Sequence, residues 1–263
     1  MTLRKVDSFT GALAVAASFF IIAPMVALLA KVPLSSFLHD LTQTSSRQAI
    51  TLAIWTSLLA AIICVLLGVP LAWVLARGNE RLTNILRPIV LAPIVLPPTV
   101  AGIALLALFG RSGLLGKYIY NATGWSMPFT SIAVVVTGVF VGMPFLALIV
   151  ESNFRHIPKD LEDAAITDRA SNREVFSLVA LPQIRNGIAT GAVLAWARAL
   201  GEFGATMMFA GSLPGRTQTW AMQVYVDMDM DMGTAYTLSA VMLVIAVAVV
   251  FALRKPLTQA FSS

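Results

Sequence analysis

EDAAITDRASNREVFSLVALP, residues 162–182, is crowded with charge in a chain that is 58% hydrophobic. From Arg155 to Glu174, nine of twenty residues are Asp, Glu, Lys or Arg, against 12% for the whole chain. Helical spacing runs through Leu161, Ala164 and Ala165, with Asp160, Glu162 and Asp163 near its start. Acids there suit the positive end of a helix. The stretch predicts a short amphipathic helix between two long apolar segments, with Ala164 and Ala165 small enough for another protein to approach closely. The plainer reading is a solvated loop.

The flanks read as membrane. Mean hydropathy is +0.83, and the charged fraction is about half that of a soluble domain. A spanning helix needs ~20 mostly apolar residues. Six segments qualify, at 11–31, 49–76, 86–109, 129–151, 184–211 and 234–254, and they leave 152–183 as the charged connection between the fourth and fifth. The first is too long for a signal peptide and no cleavage site follows it. With both termini inside, twelve of the eighteen Lys and Arg fall on the inner side, five fall outside, and Arg198 lies within a span. By the positive-inside rule this predicts a multi-pass protein of the cell membrane with cytoplasmic termini and a cytoplasmic 152–183 segment.

Other chemistry is poorly supported. The pI of about 9.7 comes without a basic–aromatic stripe, so no nucleic-acid partner is expected. Cys64 alone makes no intrachain disulfide and no thiol metal site. His39 and His156 fall on opposite sides, and no hydrolase motif occurs. Gly110–Tyr118 has the outline of a phosphate-binding loop, but Arg111 stands at its first glycine position and Tyr118 at its hydroxyl position. Asp227, Asp229 and Asp231 alternate with methionines. On an extended chain they would point one way, toward a metal; the plainer reading, a solvated outer loop before the last span, is preferred. Neither catalytic residues, nor a metal site, nor a bound cofactor are expected.

Within the spans, VLPPTVAG at 95–102 places Pro97, Pro98 and Thr99 in the middle of the third. Proline removes a donor and kinks a helix, so the stretch is either a packing kink or a broken helix lining a pathway. The fifth span carries Gly187 and Gly191 at close-packing spacing, then WARALGEFGATMMFAG at 196–211. There Arg198 and Glu202 are four apart and suited to pair, with Thr206 one turn further. The pair is either a structural brace or the positive wall of an anion path.

The charged segment resembles the EAA loop of ABC importer permeases, whose pattern is E-A-A, three residues, Gly, nine residues, then I-x-L-P. Asp163-Ala164-Ala165, then Arg169, then Val179-Ala180-Leu181-Pro182 keep that spacing, with Asp for Glu, Val for Ile and Arg for Gly. If the glycine position is left-handed, Arg169 is strained there. The 95–116, 196–211 and 213–219 stretches resemble the molybdate/tungstate branch, with sulfate permeases nearest to it. The resemblance covers about residues 45–255.

It implies an all-α membrane protein, a type I ABC importer permease (MetI-like) bundle of six transmembrane helices with a cytoplasmic coupling helix. A second copy of the chain, two cytoplasmic ABC ATPase subunits holding ATP and Mg, and an extracytoplasmic oxyanion-binding protein would complete it. Leu161, Glu162, Asp163, Ala164, Ala165, Arg169 and Ala170 would couple to the ATPase. Pro97, Pro98, Thr99, Arg198, Glu202 and Thr206 would line the pathway or gate. An ion-gradient-driven secondary transporter or channel would share the helix breaks and charge pair without the loop.

Overall fold

The computed structural model describes residues 7–261, and side-chain surroundings through 254. Arg4, Lys5 and the Lys255 side chain, used above for orientation, lie outside the described residues.

Helix α1 (Ser8–Ala30) is followed by α2 (Phe37–Thr42), α3 (Thr44–Arg77), α4 (Glu80–Val95), α5 (Pro98–Phe109) and α6 (Gly116–Thr123). Then come α7 (Ser131–Arg155), α8 (Lys159–Thr167), α9 (Asn172–Glu174), a π-helical segment (Val175–Ala180) and α10 (Leu181–Gln183). The chain finishes with α11 (Arg185–Leu200), α12 (Gly204–Phe209), α13 (Trp220–Met230) and α14 (Met232–Phe261). No strand occurs among the described residues.

Helices α1, α3, α7 and α14 are each long and apolar enough to cross a membrane, which makes this a multi-pass membrane protein. The core is α3, α7 and α11, brought close by small residues. A Cβ at Gly138 would stand 2.9 Å from Ala60 Cβ, and one at Gly142 would stand 3.0 Å from the Ala195 carbonyl. In lipid, association depends on such backbone approach, because the tails are as apolar as leucine. Gly187 and Gly191 do the same work, against Asn153 and Leu146 of α7. Helix α1 buries none of its residues within the chain.

Two of the six expected spans are broken. The third is the pair α4 and α5, bent by 118°. Leu96 and Pro97 are extended, with ψ of 132° and 134°, as residues before proline must be. The fifth stops at Leu200, passes through Gly201–Phe203 and restarts as the six-residue α12. Sixteen residues of α11 reach about 24 Å, short of a ~30 Å hydrocarbon core.

The two broken pieces pack together. A Cβ at Gly102 of α5 would meet the Ala205 carbonyl oxygen at 2.5 Å and Met208 Cβ at 2.6 Å. Gly102→Val is therefore expected to cost about 1–3 kcal/mol, the scale of overpacking. A fall in the thermal unfolding midpoint of the purified protein checks it; an unchanged midpoint would contradict the close approach.

Candidate functional site

Residues 152–183 are almost wholly helical. Helix α8 starts after Pro158, with Asp160 and Glu162 in its first turn. Leu161 and Ile166 are 46% and 52% exposed, and Asp163 and Ala164 are exposed beside them. Ala165 and Ala170 are half-buried. The helix thus presents a mixed apolar and acidic face that the chain itself leaves uncovered.

Its end is a helix stop of defined geometry. The Ala170 N–H donates to the Ala165 carbonyl at 2.9 Å and the Arg169 N–H to the Ile166 carbonyl at 2.9 Å. These are the two bonds of a Schellman motif, which needs a left-handed residue between helix and exit. Arg169 is that residue, with φ of 64°. The next element starts two residues on with a capping box: Ser171 Oγ accepts from the Glu174 N–H, and Ser171 N–H donates to Glu174 Oε2 at 2.8 Å. The Ser171 hydroxyl also donates to Glu174 Oε2 at 2.7 Å, and this bond, with that from the Ser171 N–H, holds the Glu174 carboxyl below its ordinary range.

Glu162 does not share the exposed face. It is buried and receives Arg77 from the end of α3: Nη2 lies 2.8 Å from Oε1, and Nε lies 3.1 Å from both carboxylate oxygens. A second cluster lies at the same end. Glu151 of α7 accepts from Arg87 of α4 at 2.7 Å and from Arg155 at 2.9 Å, and both arginines also donate to the Leu75 carbonyl of α3. Arg77, Arg87 and Arg155 are legible in sequence only as positive charges. The signal for the second cluster was Glu151, an acid closing an apolar span with Arg155 four residues later.

The predicted pathway residues meet at the two breaks. Pro97 caps α5 and Pro98 opens it. A Cβ at Gly204 would stand 2.8 Å from Pro98 Cβ and 3.7 Å from the Thr99 N–H nitrogen. Beside Gly204, Glu202 is 3% exposed; it pairs with Arg198 at 2.5 Å, and its Oε1 accepts from the Ala205 N–H at 2.8 Å. The pair forms across the end of a helix, not within one. Thr206 is buried on α12. Pro97, Pro98 and Thr99 are exposed, and Arg198 is partly so.

The solvated loop expected around Asp227–Met232 is corrected. Asp227 lies on α13 and is 7% exposed. Helical geometry turns Asp227 and Asp229 to different faces, which removes the extended metal site. No group of His, Cys, Asp or Glu suited to a metal occurs among the described residues. Asp227 Oδ1 accepts from Gln223 at 2.8 Å, while Oδ2 has no partner. Burial pushes this carboxyl up, the Gln223 bond opposes that, and Asp231 and Asp40 add to the rise.

Two outcomes follow. Arg169→Gly removes the left-handed penalty of ~1–2 kcal/mol, partly offset by glycine's entropy. It is expected to slow hydrogen exchange at Ala170, while Arg169→Ala leaves it unchanged. For Asp227, a raised folded pKa means that the native state binds more protons, so its contribution to stability is lost as pH rises above ~4. Asp227→Asn is expected to flatten the decline in unfolding midpoint with rising pH that the parent shows, and an unaltered slope would contradict the assignment.

Residues 68–259 match the family model described as "Binding-protein-dependent transport system inner membrane component". The molybdenum transport system permease protein ModB of Mycobacterium tuberculosis is 43% identical over 237 residues, covering 90% of this chain and 89% of that one. The probable transport system permease protein NifC of Clostridium pasteurianum is 35% identical, covering 85% and 80%. ModB of Azotobacter vinelandii is 34% identical, covering 84% and 95%. In fold the chain is similar to a bacterial ABC transporter involved in import of the acidic polysaccharide alginate, with a TM-score of 0.75 at 14% identity over 97% of this chain and 96% of that one. The chain belongs to the family of binding-protein-dependent transport system inner membrane components, as an ABC transporter permease.

Proposed function

We propose that two copies of this chain form the pathway of an ATP-driven importer that moves a tetrahedral oxyanion of the molybdate and tungstate class into the cytoplasm. Likeness over nine-tenths of the chain to a molybdenum transport permease supports the cargo class. The observation that carries the mechanism is the uncovered face of α8, with Leu161, Asp163, Ala164 and Ile166 outward. An ABC ATPase, holding ATP and Mg, docks there from the cytoplasm. A binding protein delivers the anion on the other side, and both termini of the chain are cytoplasmic.

The chemistry asked of this chain is electrostatic. A dianion crossing hydrocarbon needs positive potential and a polar path. Arg198, partly exposed beside the broken helices, supplies the first. Glu202 holds the guanidinium in place and keeps the net charge of the empty site low. An unpaired charge at that depth would cost ~2.5–3.5 kcal/mol on insertion scales. The broken pieces α5 and α12 form the gate with Pro97, Pro98, Thr99 and Thr206, because short segments joined at extended residues shift at less cost than one continuous helix. ATP binding closes the ATPase pair, draws the two α8 helices together and turns the path outward; hydrolysis returns it.

Proteoliposomes holding the permease and its ATPase should take up molybdate or tungstate only with ATP and loaded binding protein. Ala164→Trp should abolish ATPase co-purification while leaving membrane insertion intact. Uptake that persists without ATP and collapses with a protonophore would establish an ion-gradient-driven carrier instead.

A further inference from the structure

Helix α8 has two routes into the bundle, and they differ in length. Along the chain toward α11 it passes a left-handed turn at Arg169, the exposed residues 171–174, a π-helical segment and the three-residue α10 containing Pro182. Each is a break or a change of helix type along that route. Across space it packs against the π-helical segment and, toward α3 and α7, meets the Arg77 guanidinium. Resting on the permease reading above, we propose that Arg77 is a positioning residue for coupling, a latch that makes α8 and the ends of α3 and α7 move as one body.

The geometry is over-determined. Arg77 grips both oxygens of Glu162, and its Nη2 also donates to the Phe154 carbonyl at 2.8 Å and to the Ile157 carbonyl at 3.2 Å. Phe154 ends the buried face of α7, and Ile157 lies in the short link from α7 to α8. The guanidinium stands over the Trp73 ring at 5.8 Å. Trp73 in turn meets Phe154 at 4.9 Å and Phe176 of the π-helical segment at 5.4 Å. One residue near the end of α3 therefore touches α7, the link and α8, with the π-helical segment one ring away.

The pair is poorly solvated, with side chains 16% and 11% exposed. Salt screens it little, and removal of either partner leaves the other charge uncompensated. Lysine presents a point charge with no planar fork, so it cannot hold both oxygens and both carbonyls. The link from α7 to α8 is only His156–Pro158, so the latch closes a small ring and leaves α8 no hinge of its own. Displacement of α8 then enters the membrane through α3 and α7, whose small-residue contacts carry it to α11.

The test uses the permease with its ATPase in lipid nanodiscs, with loaded binding protein. Glu162→Gln keeps the shape and removes the charge; Arg77→Lys keeps the charge and removes the fork. At equal ATPase content, the ratio of stimulated to unstimulated hydrolysis is expected to fall about tenfold in both, within the usual range of inter-site coupling. Spin labels at Val74→Cys and Lys159→Cys, in a Cys64→Ala background, are expected to keep one narrow distance through the nucleotide cycle in the parent and a broad one in both variants. Glu80→Gln, exposed at the same end, changes neither readout.

Native stimulation with a narrow distance in both variants would overturn the proposal. So would loss of the ATPase from the variants with the narrow distance intact, because the pair would then serve docking. A parent chain that co-purifies with no ATPase would sink the permease reading itself, and the latch's role with it.

Discussion

In hydrocarbon every backbone polar group needs a partner, because no water is there to supply one. This chain breaks two helices inside its apolar region and keeps several of the flanking N–H groups paired. At the first break the prolines have no N–H to orphan, the Leu96 N–H keeps the Ala92 carbonyl, and the Ala101 N–H takes the Pro97 carbonyl. At the second, the Gly201 and Glu202 N–H groups return to Ala197 and Ala199, and the Met207 N–H reaches the Phe203 carbonyl. Among the N–H groups that open α12, that of Ala205 is accepted by the Glu202 carboxylate. Glu202 is thus needed twice, once as a backbone partner and once as the partner of Arg198. A charge in that position stabilises the break beside it.

The same constraint acts at the Arg-rich end. The last carbonyls of a helix have no intrahelical donor. The Leu75 carbonyl near the end of α3 accepts from Arg87 and Arg155, and the Phe154 carbonyl near the end of α7 accepts from Arg77. Arginine at a helix C-terminus also complements the dipole. Arg77 and Arg87 spend their remaining donors on a carboxylate of another element, Glu162 and Glu151, and Arg155 bonds Glu151 of its own helix. Helix termination and helix-to-helix fastening are one event here, which is why the acids beneath the surface are as structural as the apolar core above them.

The sequence shows the first break and hides the second. Two adjacent prolines announce extended backbone whatever surrounds them, so the bend at Leu96–Pro97 was legible as an alternative to a plain kink. Gly201-Glu202-Phe203 carries no such local rule. Its helix ends where the Glu202 carboxylate takes the Ala205 N–H and Gly204 packs against Pro98, on a segment about a hundred residues away. Glu162 was hidden for the same reason. In the sequence it is one acid among several at a helix start; its burial depends on Arg77, 85 residues earlier. Asp227 read as solvated because alternating Asp and Met have no helical period, and tertiary packing of α13 against α3 and α14 overrode the pattern. The four long apolar helices, the helix at Leu161–Ala165 and the pairing of Arg198 with Glu202 were readable because each rests on neighbours within a few residues.

Arg169 makes the opposite case, a position where the local rule was right and the residue disobeys it. Spacing against the EAA pattern put a glycine there, and the backbone does adopt the left-handed conformation that glycine suits. The arginine bears that conformation because both sides over-determine it. Two Schellman bonds close α8 before it, and a capping box opens α9 after it. Four local hydrogen bonds worth about 1 kcal/mol each outweigh a left-handed penalty of ~1–2 kcal/mol. The turn therefore belongs to the fold and not to the residue, and the exposed face of α8 keeps its direction even where its expected glycine is absent.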